Sequence, residues 1–76
     1  MILYTLPNCP ACTKAKAALD AAGVVYETHT FASVDDMRSA MRHAGVSETV
    51  PKLEIEGEWL MDSTEIINAA SGLRGF

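Results

Sequence analysis

Two cysteines, Cys9 and Cys12, lie three positions apart and are the residues of this chain best suited to chemistry. Cysteine pairs at this spacing serve in reversible disulfide exchange or in metal binding. Pro10 stands between them, and proline favours the first position of a helix because its missing N–H costs nothing there. Cys9 is therefore predicted to be the N-cap residue, with Cys12 one turn inside the helix.

The start of a helix changes the chemistry of a thiol placed there. Unpaired backbone N–H groups and the positive end of the helix dipole favour thiolate over thiol. Cys9 is then the expected nucleophile, which attacks a disulfide and forms a mixed disulfide. Cys12, more buried on the helix, would resolve that mixed disulfide.

Other roles for the two cysteines stay open. Both could be inert packing residues, although such cysteines seldom stand at a helix start marked by proline. They could bind zinc with His29 and His43, but these histidines are too far apart for the usual zinc-ligand spacing. An iron–sulfur cluster shared by two chains, with an external thiol as ligand, is a further alternative. We expect no bound metal.

The rest of the chain must position this pair, and its hydrophobic periodicity predicts alternating strands and helices. The predicted elements are a strand from Ile2 to Leu6, a helix from Pro10 to Ala22, a strand from Val24 to Thr30, a helix from Val34 to Ala44, a hairpin that turns at Glu56-Gly57, and a last helix after Asp62.

Details of the pattern refine these elements. The first strand is apolar enough to be buried on both faces. Ser33 and Gly45 delimit the second helix as its N-cap and its stop. In the hairpin, Lys52 and the glutamates alternate with inward-facing apolar residues, and the last helix carries an apolar stripe that includes Ile67.

The predicted order is β-α-β-α-β-β-α. A parallel β-α-β crossover is almost always right-handed, so the first two strands should be adjacent and parallel. The hairpin then completes a four-stranded mixed sheet with helices on both faces, which is an α/β fold.

Composition limits what such a chain can do. Its 76 residues suffice for one domain, 1–76, and 49% of them are apolar. Six Lys and Arg against ten Asp and Glu give a net charge of −4, which disfavours nucleic acid and anionic membranes as ligands. The chain has neither a long apolar stretch nor a basic leader, so a soluble, cytoplasmic protein is expected. A monomer is also expected.

The stretch from Tyr4 to Cys12, together with Thr49-Val50-Pro51 before a predicted strand, resembles the glutaredoxins over nearly the whole chain. The resemblance implies a thioredoxin-like fold and a Cys-Pro-Ala-Cys dithiol that reduces protein disulfides or glutathione mixed disulfides. It also implies glutathione as co-substrate, with no bound cofactor.

The same resemblance implies a cis bond between Val50 and Pro51. Such a bond would turn the Val50 N–H and C=O outward to pair with an extended cysteine-containing ligand, as in strand addition. Thr49, Val50 and Pro51 are therefore candidate substrate-binding residues.

The chain departs from the glutaredoxin pattern at two places. Many glutaredoxins carry Lys or Arg three residues before the first cysteine, where this chain has Leu6, and a Gly-Gly-x-Asp segment that is absent here. Asp62 and Ser63, at the start of the last helix, remain candidates for binding the γ-glutamyl end of glutathione. Their alternative role is to cap that helix.

These departures favour a second hypothesis, the NrdH-type redoxins, which take electrons from thioredoxin reductase and pass them to ribonucleotide reductase. Their active sites often lack the proline of the Cys-Pro-x-Cys pair, so Pro10 favours the glutaredoxins. A third hypothesis is an interaction domain that has kept the fold without redox activity.

Overall fold

The computed structural model describes residues 1–73, and its elements follow the predicted order. Residues 74–76 of the predicted domain lie outside the described residues. The elements are β1 (Ile2–Thr5), α1 (Pro10–Ala21), β2 (Glu27–Thr30), α2 (Val34–Ala44), β3 (Lys52–Ile55), β4 (Glu58–Leu60), α3 (Ser63–Ala69) and a closing 3₁₀ turn (Ala70–Leu73).

The four strands form one mixed sheet in the order β2-β1-β3-β4. β1 runs parallel to β2, in a register that pairs Ile2 with Glu27, and antiparallel to β3. β3 and β4 form the predicted hairpin, whose turn residues Glu56 and Gly57 both have positive φ, 50° and 86°. Two positive φ angles in a row are typical of the tight turns that join antiparallel strands.

Helices cover both faces of the sheet, as predicted. Alternate residues of a strand point to opposite faces. One face, with α1 and α3, buries Leu3, Ala15, Leu53 and Ile66 completely. The other face carries a second apolar cluster of Phe31 with Met37 and Met41 of α2; Tyr4, Leu6, Val46, Val50 and Trp59 pack against it.

The ends of α2 lie where the sequence placed them. The Ser33 hydroxyl accepts a hydrogen bond from the Asp36 N–H at 3.1 Å, which makes Ser33 the N-cap. Gly45 ends the helix with a φ of 78°, a conformation that costs glycine least.

Three expectations, about β1, β2 and α3, are wrong. β1 is not buried on both faces, because Ile2 and Tyr4 keep partial exposure on the face that α2 covers. β2 is shorter than predicted, since it pairs only along the four residues of β1, and Val25 before it is 84% exposed. Ile67 is 41% exposed because α3 buries Ile66 and then tightens into the 3₁₀ turn.

Candidate active site

A sharp turn carries the chain from β1 into α1 and places Cys9 at the carboxyl end of a central strand. Asn8, just before Cys9, has a φ of 56°, in the left-handed region that asparagine tolerates better than most residues. Pro10 is the first residue of α1, as its missing N–H favours. Cys9 is thus the N-cap residue of α1, with extended backbone angles, and this prediction is confirmed.

The sulfur of Cys9 faces the first turn of α1. The Cys12 backbone N–H donates a hydrogen bond to Cys9 Sγ at 3.2 Å. The Cys9 carbonyl accepts two further bonds, from the Thr13 N–H at 3.0 Å and from the Thr13 hydroxyl at 3.2 Å. The side chain and the carbonyl group of Cys9 are therefore both held by the helix that follows it.

Cys9 and Cys12 are joined as a disulfide, with their Cα atoms 5.2 Å apart. Cys9 is partly exposed, whereas Cys12 is 4% exposed and packs inside the domain. Cys12 is the more buried of the two, as predicted. A reagent from solvent therefore meets Cys9 first.

The disulfide lines an open pocket of about 200 Å³ between the strand ends and α1. Among residues 1–73, Lys16 is the one cation in its wall, and Leu6 stands there in place of the basic residue common in glutaredoxins. The hydroxyl groups of Thr5 and Thr30, 2.9 Å apart, join the ends of β1 and β2 beneath it. The described residues that line it are Thr5, Leu6, Pro7, Asn8, Cys9, Cys12, Thr13, Lys16 and Thr30.

The segment Thr49-Val50-Pro51 leads into β3 and contains the one cis peptide bond of residues 1–73, between Val50 and Pro51. Pro51 is buried, and Val50 packs against the Phe31 cluster. β3 begins only at Lys52, and within the described chain the Val50 backbone makes no hydrogen bond to another residue. A backbone unit without an internal partner is free to pair with a ligand.

Lys52 differs most from the sequence-based expectation. The hairpin pattern placed it on the polar side, but it is 0% exposed, and it faces the same side of the sheet as Tyr4, its cross-strand partner. Its ammonium group donates to the Thr49 carbonyl at 2.6 Å and to the Thr49 hydroxyl at 2.7 Å. These two bonds make burial possible, and no pattern in the sequence indicated them.

The pKa of Lys52 depends on its burial and on the charge of Asp62. Burial lowers the pKa of Lys52 below its ordinary value, and the Asp62 carboxylate opposes that shift. Asp62 caps α3, because its Oδ1 accepts the Glu65 N–H at 2.9 Å. Glu65 in turn accepts the Met61 N–H at 3.1 Å. The capping role of Asp62 is thus confirmed, and Ser63 is the first, partly exposed residue of α3.

Arg42 and His29 contact residues that do not line the disulfide pocket. Arg42 forms an exposed ion pair with Glu48 at 3.2 Å, which raises the pKa of Arg42 and lowers that of Glu48. His29 packs edge-on against Phe31 with ring centroids 4.7 Å apart. In residues 1–73 no three His, Cys, Asp or Glu side chains come together as a metal site, so neither histidine joins the cysteines.

None of the helices in the described part of the chain is long and apolar enough to span a membrane. The fold is the α/β arrangement, with a mixed four-stranded sheet, that the thioredoxin-like resemblance implies.

Comparison with known proteins bears directly on this site. The glutaredoxin family model matches residues 1–60, which include both cysteines and the Val50–Pro51 bond. Glutaredoxin 1 of Rickettsia prowazekii (strain Madrid E) is 31% identical over 70 residues, which cover 90% of this chain and 74% of that protein. Glutaredoxin 1 of Rickettsia felis is 38% identical over 58 residues, which cover 74% of this chain and 57% of that relative.

No solved structure matches the sequence at a significant level. The family model alone covers well over half of the chain, and it includes the strand-to-helix turn that carries the disulfide. The chain therefore belongs to the glutaredoxin family.

Proposed function

We propose that this protein is a glutathione-linked thiol–disulfide oxidoreductase that reduces protein disulfides and glutathione mixed disulfides. The single observation that carries the proposal is the position of Cys9, whose partly exposed sulfur accepts an N–H bond from the first turn of α1. In the reduced protein the same N–H group stabilises a thiolate. Its cytoplasmic location is part of the proposal, since glutathione keeps thiols reduced in that compartment.

The reaction begins with the reduced dithiol. The Cys9 thiolate attacks one sulfur of the substrate disulfide, a new S–S bond forms, and the other substrate sulfur leaves as a thiolate that takes up a proton. The Cys12 thiolate then attacks Cys9 Sγ and releases the second substrate thiol. The substrate has gained two electrons, and the protein is left with the Cys9–Cys12 disulfide that the structure contains.

Glutathione closes the cycle. One glutathione thiolate opens the protein disulfide at the more exposed Cys9. A second glutathione attacks the resulting mixed disulfide, which restores the dithiol and forms oxidised glutathione. When the substrate is itself a glutathione mixed disulfide, the second glutathione can act without Cys12.

We assign substrate binding to the segment Thr49-Val50-Pro51, which precedes β3. The unpaired backbone of Val50 would pair with the extended chain of the substrate, flanked by Thr49 and Pro51. Asp62, exposed at the start of α3, would meet the ammonium group of glutathione, with Ser63 beside it. Asp62 caps α3 through one oxygen, and a carboxylate has further acceptor positions.

A second candidate is the NrdH-type redoxin, with ribonucleotide reductase as electron acceptor. It is favoured by Leu6, which puts an apolar side chain in the pocket wall where glutaredoxins carry a cation for the glutathione carboxylate. In that case thioredoxin reductase, rather than glutathione, would open the Cys9–Cys12 disulfide.

One experiment separates the two candidates. The oxidised protein is offered NADPH with either glutathione and glutathione reductase or thioredoxin reductase alone, and NADPH consumption is followed with a glutathionylated peptide as substrate. Turnover with glutathione, abolished by Cys9→Ser but not by Cys12→Ser, supports the proposal. Turnover only with thioredoxin reductase assigns the protein to the NrdH type, and turnover with neither system overturns both.

A further inference from the structure

Lys52 is an unusual residue for the interior of a small domain. It is fully covered, and lysine is almost never fully buried without a compensating partner. No carboxylate lies within ion-pair distance of its ammonium group among the described residues, where the sole ion pair is Arg42–Glu48. An apolar side chain of similar length would avoid the cost of desolvating a charge. The role of Lys52 therefore depends on the residue that its ammonium group binds.

Within the described part of the chain, that group holds a single residue, Thr49. Both hydrogen bonds of Nζ go there, one to the carbonyl at 2.6 Å and one to the hydroxyl at 2.7 Å. The two acceptors lie on different parts of Thr49, so the residue is fixed in both backbone and side chain. Thr49 itself is exposed, and the contact thus ties a surface residue to a buried charge.

The Thr49 carbonyl belongs to the same peptide unit as the Val50 N–H. This peptide is trans, since the cis bond lies one residue later. In a planar trans peptide the C=O and N–H point in opposite directions. A carbonyl drawn towards the buried ammonium therefore directs the Val50 N–H away from it. A cation on the carbonyl also polarises the peptide and makes the N–H a stronger donor.

We propose that Lys52 is a positioning residue for substrate recognition: its buried ammonium group holds the Thr49 carbonyl so that the Val50 N–H faces the peptide chain of the bound disulfide. The inference rests on the proposed function, in which Val50 binds that chain. Lys52 does not touch the substrate. It acts through Thr49 and affects how the substrate docks. Its removal should therefore slow the reaction of substrates that have a peptide backbone more than the reaction of substrates that have none.

The test compares two disulfides in single turnovers of chemically reduced protein. Oxidised glutathione offers peptide groups, whereas hydroxyethyl disulfide offers none. Rate constants are measured by rapid acid quench and mass spectrometry, and the selectivity is the ratio of the two. Lys52→Met should reduce this selectivity about tenfold, as expected for one oriented hydrogen bond. Lys14→Met, which removes an exposed lysine on α1, is the matched control and should retain the wild-type ratio.

The ratio stays informative if Lys52→Met alters the rates generally, because a general change cancels. A wild-type ratio in Lys52→Met overturns the inference. If that variant does not fold, Lys52→Gln replaces it, since glutamine is polar but has no charge and its side chain is one bond too short to hold the Thr49 carbonyl; an unchanged ratio in Lys52→Gln also overturns the inference. A wild-type protein without preference for oxidised glutathione would contradict the proposed docking at Val50 instead, so the two failures are distinguishable.

Discussion

The Cys12 backbone N–H donates a hydrogen bond to Sγ of Cys9 at 3.2 Å, across the first turn of α1. One of the N–H groups that a helix start leaves unpaired thus donates its hydrogen bond to a sulfur atom. The contact is short in sequence and depends only on Cys9 being the N-cap residue, so it should persist when the disulfide is reduced.

We therefore predict that Cys9 is more reactive than an ordinary thiol. In the Cys12→Ser variant, alkylation of Cys9 by iodoacetamide at about pH 6 should be about tenfold faster than in the same protein unfolded in urea, because the helix start favours the thiolate. The alkylated fraction is followed by mass spectrometry. Equal rates in the folded and unfolded protein would remove the helix start as the activating feature.

Asp62 allows a stabilising role to be separated from a binding role. Asp62→Ala removes the acceptor of the Glu65 N–H and should lower the free energy of unfolding by about 1 kcal/mol, measured by urea denaturation. Asp62→Asn keeps a capping oxygen and should lower the free energy of unfolding much less. If Asp62→Asn nevertheless raises the KM for glutathione, the charge of Asp62 binds the ligand. An unchanged KM would mean that Asp62 only caps the helix.

The hydrogen bond from the Tyr26 hydroxyl to Asp20 Oδ1, at 2.7 Å, predicts a pH dependence of stability. Burial, followed by the bond to Asp20, raises the pKa of Tyr26 from 10.0 to about 12. The folded protein thus holds this proton more tightly than the unfolded chain. The stability it contributes is complete below pH 10 and is lost as the pH rises towards 12.

Tyr26→Phe tests this. The variant should be less stable than the wild type by about 1 kcal/mol at neutral pH, and the difference should shrink across the alkaline window. Urea midpoints are measured for both proteins from neutral pH upwards. Curves that stay parallel through that window would contradict the assignment of this titration to Tyr26.

The difference in burial between Leu53 and Ile67 predicts unequal losses of stability for two apolar truncations. Leu53 is 0% exposed at the centre of the α1–α3 face. Leu53→Ala should lower the free energy of unfolding by about 3 kcal/mol, because a cavity remains. Ile67 is 41% exposed, and Ile67→Ala should change stability by about 0.5 kcal/mol or less. Thermal and urea unfolding give both values. Similar losses at the two positions would mean that Ile67 is buried in solution.

Local signals predicted the fold well because they act within a few residues. Ser33 and Gly45 define α2 by capping, and Pro10 defines the start of α1, so the placement of Cys9 followed from chain-local chemistry. The family resemblance, rather than the local sequence, indicated the cis bond at Pro51.

The sequence failed where burial depends on distant elements. The alternation along the hairpin assigned Lys52 to solvent, yet β1 lies beside it and Thr49 satisfies its ammonium group. The pattern likewise could not show how far β2 pairs, since the four residues of β1 decide that. A periodicity identifies the two faces of an element but does not show what covers each face.

The unequal exposure of the two sulfurs restricts the order of events in a catalytic cycle. With Cys12 4% exposed, electron donor and electron acceptor must both reach the protein through Cys9. Two bulky molecules cannot occupy one atom together, so we expect no ternary complex. Steady-state kinetics should then be of the ping-pong type, with parallel lines in double-reciprocal plots, and excess donor should compete with the acceptor for the same sulfur.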